Sequence, residues 1–123
     1  MLKTYKDLIV WQKAYNFCLQ IYMLTRKFPH EEKYCIVSQM RRAAISIPSN
    51  IAEGYARKTT REYIYSLYVS YGSLCELETQ IIIAKDLGYF DDGKFQLLEE
   101  GLSEIGKMLK ALIKSLKNKN TKH

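Results

Sequence analysis

The stretch from Gln39 to Lys58 constrains the fold most, because it combines two stripes of residues at helical spacing. The apolar stripe begins just before this stretch and contains Val37, Met40, Ala44, Ile47 and Ile51. The polar stripe keeps the same rhythm on another face and contains Gln39, Arg42, Ser46, Asn50, Glu53 and Arg57. Since an α-helix has about 3.6 residues per turn, each set occupies one face of the same helix. A helix with an apolar face and an ordered polar face indicates a bundle with a second, specific contact.

Capping signals and apolar spacing predict a helix on each side of the connection at Phe28-Pro29. The first helix is expected to begin with Asp7 as its N-cap and to end near Arg26. Its predicted core stripe is Leu8, Trp11, Tyr15, Cys18 and Tyr22. Glu31 and Glu32 suit the positive first turn of the second helix, which carries the 39–58 stretch.

Two further helices follow. Thr59 is the predicted N-cap of the third helix, with Glu62 completing a capping box, and Gly88 is its expected stop. Asp91 or Asp92 caps the fourth helix. The apolar seam of the fourth helix repeats every three or four residues, at Phe95, Leu98, Leu102, Ile105, Leu109, Leu112 and Leu116.

Short connections between helices imply antiparallel neighbours, so we expect an all-α, up-down-up-down four-helix bundle. No segment has the period-two pattern of a strand. Pro48 removes one backbone donor, and we expect a kink there rather than a restarted helix capped by Ser49 or Asn50, because the polar stripe stays in phase. Residues 1–123 are expected to form one domain, with 1–6 and 118–123 as flexible tails.

The turn near Thr59 gives an approximate register for the second and third helices. Facing residues then have numbers that sum to about twice 59, which pairs Arg42 with Glu76, Ser46 with Gly72, Asn50 with Tyr68, and Arg41 with Glu78. Small residues at Gly72 and Ser73 would allow the two backbones to approach closely. The predicted structural polar network consists of Gln39, Arg41, Arg42, Ser46, Asn50, Glu53, Ser73, Glu76 and Glu78.

An Arg42–Glu76 pair would have an energetic consequence if it is partly buried. Replacing Arg42 by Met would then leave a carboxylate without its partner, at an expected cost of ~3 kcal/mol or somewhat less. Paired carboxylates and arginines on facing helices usually fix register and choice of partner.

An enzymatic role is not expected. The sequence has no Gly-rich phosphate loop, no Cys–His or Ser–His pairing in a recognisable context, and no two-His metal spacing. The Glu-x-x-His motif of di-iron bundles is missing as well. We therefore expect no catalytic residue, no metal and no cofactor.

The charge is concentrated at one end of the chain. Glu104 is the last of 13 acidic residues, and six of the 19 basic residues follow it: Lys107, Lys110, Lys114, Lys117, Lys119 and Lys122. Such a cluster attracts polyanions, although lysines near a helix end also complement the macrodipole and favour solubility. The candidate nucleic-acid-binding residues are Arg57, Lys58, Arg61, Lys107, Lys110, Lys114 and Lys117.

The number and spacing of the cysteines, together with the hydropathy, indicate the cellular compartment of the protein. The three cysteines form an odd set without a C-x-x-C motif, so neither a disulfide framework nor a zinc site is indicated. No uncharged run approaches the ~20 residues that span a bilayer, and the first residues do not resemble a signal peptide. We expect a reduced, cytoplasmic protein without a membrane partner.

Four segments together resemble a known family: DLIVWQKAY (7–15), FP followed by acidic residues (28–32), SQMRRAAISIPSNIAEGYAR (38–57) and YGSLCELETQ (71–80). They are similar to the four-helix-bundle proteins encoded by intervening sequences of bacterial large-subunit ribosomal RNA genes. That family is similar in turn to the accessory proteins of diversity-generating retroelements. The resemblance covers roughly residues 5–90 and implies a non-enzymatic bundle that assembles as a ring, expected to be a homopentamer, with basic surfaces for nucleic acid.

Two functions of different classes remain open. In the first, an oligomer binds RNA or DNA through phosphates, without base-specific readout. In the second, the chain is an assembly scaffold whose important surface contacts other proteins, and the lysines only solvate a helix. The ten tyrosines suit either function, since tyrosine is common at protein interfaces and also stacks on bases.

Overall fold

The computed structural model describes residues 2–121, with the side chains of residues 2–119. Helix α1 spans Ile9–Thr25, α2 spans Ile36–Tyr55, α3 spans Thr60–Asp86 and α4 spans Asp92–Thr121. Short 3-10 turns at Tyr5–Asp7 and His30–Glu32 precede α1 and α2. Within the described residues there is no strand. The predicted all-α four-helix bundle is confirmed.

Several predicted helix ends are confirmed by their hydrogen bonds. The Thr59 hydroxyl accepts a bond from the Glu62 backbone N–H at 3.1 Å, which caps α3. Gly88 follows α3 with a φ of +83°, a conformation that glycine adopts without the penalty of a Cβ. At the start of α4, the Asp91 carboxylate accepts a bond from the Lys94 N–H at 2.8 Å.

Two predicted helix starts are wrong. Asp7 belongs to the 3-10 turn before α1, where its carboxylate accepts the Thr4 N–H in a capping box, and Leu8 is the N-cap of α1. Glu31 and Glu32 likewise lie in the 3-10 turn before α2 instead of in its first turn. In both places the carboxylates belong to a short turn before the helix, and their position in the sequence does not distinguish that turn from the first turn of the α-helix.

Helix α4 is longer than expected. It continues to Thr121, beyond the expected frayed end near Lys117. At the other terminus, Thr4 is engaged in the capped turn just described. The flexibility of the two expected tails stays a prediction, and Met1, Lys122 and His123 lie outside the described residues.

Each helix packs against two others. α1 contacts α2 and α4, and α3 contacts the same two helices. The contacts along α2 and α3 have antiparallel order: Arg42 bonds Glu76, whereas the carbonyl of Ile47, later in α2, accepts a bond from Ser70, earlier in α3. These contacts support the expected up-down-up-down order of the four helices, and that order stays a prediction.

The core lies where the stripes of α2 and α4 predict it, but most of the core face of α1 differs from the predicted one. All five residues of the α2 apolar stripe are buried. In α1, Cys18 of the predicted stripe is buried, but Tyr15 is exposed and Trp11 lies at the boundary. The other core residues of α1 are Val10, Ala14, Phe17, Ile21 and Leu24. α1 is apolar around most of its circumference, so periodicity alone did not identify the inward face.

Pro48 lies inside α2, which runs through it as a single helix. The missing N–H deprives the Ala44 carbonyl of its usual partner. Side chains donate to two carbonyls immediately before the proline: Asn50 Nδ2 donates to Ser46 O at 2.8 Å, and Ser70 Oγ donates to Ile47 O at 2.8 Å. The kink expected at Pro48 stays a prediction, while the helix is continuous as expected.

α2 packs closely on α3 at Gly54. A Cβ at this position would lie 2.7 Å from Ser66 Cβ and 3.0 Å from the Tyr63 ring. Gly72, which was expected to allow the close approach, is exposed and has nothing within 4 Å of a Cβ. The expectation for Gly72 is therefore wrong, and the small residue that the packing requires is on α2.

These two glycines form a matched test. Gly54→Ala should destabilise the fold by about 1–3 kcal/mol, because the added methyl overlaps α3. Gly72→Ala should instead stabilise it by up to about 1 kcal/mol, because alanine is the better helix former and the position is open. Urea unfolding followed by circular dichroism gives both values, and equal effects at the two positions would contradict the described packing.

Candidate nucleic-acid interface

The polar stripe of α2 contacts α3 through an ion pair at its exposed edge. Arg42 and Glu76 form the predicted pair, with Nη2 and Oε2 2.7 Å apart. Their side chains are 65% and 39% exposed, so the Glu76 carboxylate is partly buried as expected, but Arg42 lies largely in solvent and the expected cost of ~3 kcal/mol stays a prediction at the upper limit. An exposed pair of this kind contributes about 0–1 kcal/mol.

Further along the stripe, a small cluster of hydrogen bonds joins the two helices. Ser46 and Ser73 share a hydrogen bond of 2.7 Å between their hydroxyls, and Asn50 Nδ2 donates to Ser46 Oγ at 2.9 Å. Ser46 thus meets the residue after the predicted Gly72. The predicted pairing of Asn50 with Tyr68 stays a prediction: Asn50 bonds Ser46 within α2, and the Tyr68 hydroxyl accepts from Lys117 of α4.

Arg41 does not meet Glu78, contrary to the register prediction. Its Nε donates to Thr25 Oγ1 at 3.0 Å, and its guanidinium lies 4.6 Å from the centroid of the Tyr22 ring. Both partners belong to α1. Adjacent residues of a helix point about 100° apart, so Arg42 faces α3 while Arg41 faces α1.

Glu78 instead lies beside Glu99 in a groove between α3 and α4. The groove is also lined by Tyr71, Lys107 and Lys110. Burial raises the pKa of Glu99, and a hydrogen bond with Glu78 and the charge of Glu78 raise it further. One oxygen of Glu99 is buried without a hydrogen-bond partner among the described residues. Two carboxyl groups this close share a proton more readily than they both ionise.

The other members of the predicted network are peripheral. Glu53, in the last turn of α2, forms an ion pair with Arg57, just beyond the end of that helix. Gln39 is exposed. The predicted network is thus divided into an α2–α3 edge, an α1–α2 contact through Arg41 and a carboxyl pair between α3 and α4.

The lysines of α4 lie along the edge shared with α3. Lys117 Nζ donates to the Tyr68 hydroxyl at 2.7 Å and lies 5.1 Å from the centroid of that ring. Lys110 Nζ lies 5.0 Å from the centroid of the Tyr71 ring. A hydrogen bond with Tyr71, together with the charge that this phenol develops, raises the pKa of Lys110 and keeps the ammonium charged.

The predicted basic residues around the α2–α3 turn lie at the same end of the bundle as the last lysines of α4. α3 and α4 run antiparallel, since Lys85 meets Asp92 at one end and Tyr68 meets Lys117 towards the other. The α2–α3 turn therefore lies at the same end as the last turns of α4. All seven candidate residues are exposed: Arg57, Lys58, Arg61, Lys107, Lys110, Lys114 and Lys117.

The tyrosines between these basic residues were missed as site candidates. Tyr65 and Tyr68 are 71% and 49% exposed, and they lie on α3 between the basic turn and the contact with Lys117. The sequence carries a signal for them, since Tyr65, Tyr68 and Tyr71 recur every three residues without an intervening charge. Their contacts with α4 depended on the α3–α4 register, which the connection through Gly88 left undetermined.

Other kinds of site have little support in the described residues. No group of three or more His, Cys, Asp or Glu side chains in this part of the chain is arranged to hold a metal ion. Among the described helices, none is both long and apolar enough to cross a membrane. The geometry thus defines a helical bundle with a tyrosine- and lysine-lined edge.

Comparison with known proteins identifies the family of this bundle. The 23S rRNA-intervening sequence protein family matches residues 6–111, and the chain belongs to that family, as its sequence motifs predicted. A crystal structure of a protein of unknown function from the S23 ribosomal protein family of Bacteroides thetaiotaomicron superposes with a TM-score of 0.81. It is 24% identical and covers 89% of this chain and 98% of its own, which shows a common fold. No curated protein matches the sequence.

The adjacent arginines of α2 provide a direct test of the contacts described above. Arg41→Met should cost about 1–3 kcal/mol, because it leaves the Thr25 and Tyr22 acceptors of α1 without a charged donor. Arg42→Met should cost about 1 kcal/mol or less, because its ion pair is exposed. Free energies of unfolding in urea give the comparison, and a larger loss for Arg42→Met would contradict the described contacts.

The carboxyl pair makes stability depend on pH. Since folding raises the pKa of Glu99, its contribution is present below the ordinary glutamate value of about 4.3 and is lost as pH rises through the raised pKa. Glu99→Gln should flatten this fall and raise the melting temperature at neutral pH. Glu100→Gln, a change at the exposed neighbour, is the control and should leave the slope unchanged. Equal slopes for the parent and Glu99→Gln would refute the shared proton.

Proposed function

We propose that this chain is a non-enzymatic, homo-oligomeric bundle protein that binds RNA or DNA through phosphate contacts, without base-specific readout. The observation that carries the proposal is the edge of α4, where exposed lysines follow one another and no carboxylate occurs after Glu104. Four of these lysines share a face at helical spacing, so several can contact one nucleic-acid backbone: Lys107, Lys110, Lys114 and Lys117.

The electrostatics of the rest of the molecule support this assignment. Residues 1–106 contain as many basic as acidic groups, so the net charge of +6 arises from the remainder of α4 and the last residues of the chain. The turn with Lys58 and Arg61 adds positive charge at the same end. Arg57 contributes less, because its guanidinium is paired with Glu53. Release of counterions from phosphates would supply the affinity, which makes binding sensitive to salt.

Self-assembly is proposed from an apolar groove between α1 and α2. Tyr15, Leu19 and Ile45 line this groove and are 45%, 47% and 44% exposed. Met23, one turn after Leu19 on α1, is 61% exposed. A small monomer rarely leaves such a continuous apolar surface in water. Five subunits are proposed from the family resemblance. A ring would repeat the lysine edge in every subunit and strengthen binding through avidity.

The same groove favours the second candidate, a protein–protein assembly scaffold without a nucleic-acid role. In that case the groove would accept another protein or another subunit, and the lysines would only solvate α4. A cytoplasmic location is proposed for either function, and the three free cysteines are compatible with a reducing compartment.

Salt-dependent binding distinguishes the two candidates. The parent should bind a short duplex at low ionic strength, with a log–log salt slope of about −0.9 per phosphate contact. Changing Lys107, Lys110, Lys114 and Lys117 to Gln should flatten that slope and weaken binding. The matched control changes four lysines near the opposite end of the bundle to Gln: Lys27, Lys33, Lys85 and Lys94. Fluorescence anisotropy over a salt series measures both variants.

The control carries the same change in net charge, so equal weakening by the two variants would mean that only overall charge matters. A parent that does not bind at low salt would refute the nucleic-acid proposal and leave the scaffold. Light scattering of the same samples measures assembly. A monomer mass at micromolar concentration would refute the oligomer, and a dimer or tetramer would refute only the number five.

A further inference from the structure

We infer that the α3–α4 edge binds single-stranded nucleic acid in preference to duplex, with Tyr65 and Tyr68 stacking on unpaired bases while the neighbouring lysines contact phosphates. The inference rests on the proposed function and specifies its substrate. It depends on an arrangement that charge alone does not require: exposed aromatic rings set between basic groups.

The two tyrosines present accessible rings on one side of α3. Tyr65 is the more exposed, at 71%, and Tyr68 is 49% exposed although its hydroxyl is bonded to Lys117. They are three residues apart, so they are neighbours on the helix surface. Aromatic rings spaced along a basic groove are the usual platform for consecutive bases of a single strand.

The lysines beside these rings remain able to bind phosphate. An ammonium group has three donors, and Lys117 uses one of them on the Tyr68 hydroxyl. The same contact holds the Tyr68 ring next to a positive charge. Lys110 and Tyr71 repeat this arrangement further along the edge. Each pair thus places a positive charge beside an aromatic ring.

Carboxylates bound this stretch of the α3–α4 edge but do not interrupt it: Glu62 lies one turn before Tyr65, and the Glu78–Glu99 pair lies beyond Tyr71. α3 carries no charged residue between Glu62 and Glu76, and α4 has no carboxylate after Glu104. A strand of phosphates would therefore meet only neutral and positive side chains there. A second copy of the chain placed face to face on this edge would instead bring its own lysines against these, which like-charge repulsion disfavours.

The preference for single strands follows from the geometry of bases. In a duplex, the base faces are covered by stacking and only base edges are accessible in the grooves. Tyrosine rings on a helix surface can stack only on bases that are already unpaired. Duplex binding would thus use the lysines alone, whereas single-strand binding would use lysines and tyrosines together.

The test compares a labelled oligo-deoxythymidylate of about 20 nucleotides with a duplex of the same length, using the full chain at low salt. The Tyr65→Ala/Tyr68→Ala double variant should bind the single strand about tenfold more weakly or worse, and the duplex within about twofold of the parent. Tyr68→Phe should retain single-strand binding, because it keeps the ring.

Tyr34→Ala is the matched control. Tyr34 is 84% exposed and has Lys33 5.4 Å from its ring centroid, but it lies at the other end of the bundle, between α1 and α2. This variant should leave binding of both probes unchanged. An equal loss for Tyr34→Ala and the double variant would overturn the inference, since exposed tyrosines in general would then be responsible.

The remaining outcomes separate this inference from the proposed function. If the parent binds both probes and the double variant binds them as the parent does, the stacking role fails while phosphate binding stands. If the parent binds neither probe, both proposals fail. If the double variant loses assembly mass in light scattering, a second copy covers these tyrosines in the parent and the inference is overturned.

Discussion

The close packing of α2 on α3 is the constraint on which the rest of the bundle depends. At Gly54 the two helices approach within the distance that a single methyl would fill, and the Ser70 hydroxyl reaches the Ile47 carbonyl across the same interface. The bond from Ser70 provides a donor near the proline, where the helix has lost one of its own. The interface thus fixes the register of α3 and supports α2 at its weakest turn.

That register explains why part of the structure could be predicted from the sequence. A capped turn at Thr59 joins α2 and α3 directly, so counting from the turn places Arg42 opposite Glu76. The connection between α1 and α2 contains a 3-10 turn and several irregular residues, so the register of these two helices cannot be obtained by counting residues from the turn. Counting from the α2–α3 turn also assigned Arg41 to α3, because the count gives the level along the helix but not the face, whereas the Arg41 donors bind Thr25 and Tyr22 of α1. Register is predictable across a tight turn and is lost across a longer one.

The candidate interface was predictable in its charges and unpredictable in its contacts. The lysines after Glu104 are visible in the sequence, because a run of one sign at helical spacing needs no partner to be recognised. Their pairing with Tyr68 and Tyr71 depends on how α3 and α4 are aligned. The inward face of α1 was also undetermined, since Tyr15 and Phe17 are both aromatic and only packing separates the exposed ring from the buried one.

The contacts of Lys110 and Lys117 with tyrosine rings have a thermodynamic consequence. A free lysine side chain loses up to about 2 kcal/mol of rotamer entropy when it is immobilised by a ligand. These two side chains are already positioned by α3 before any anion arrives, so folding has absorbed part of that loss. An anion that binds them therefore meets preorganised cations, and more of the contact energy remains available as affinity.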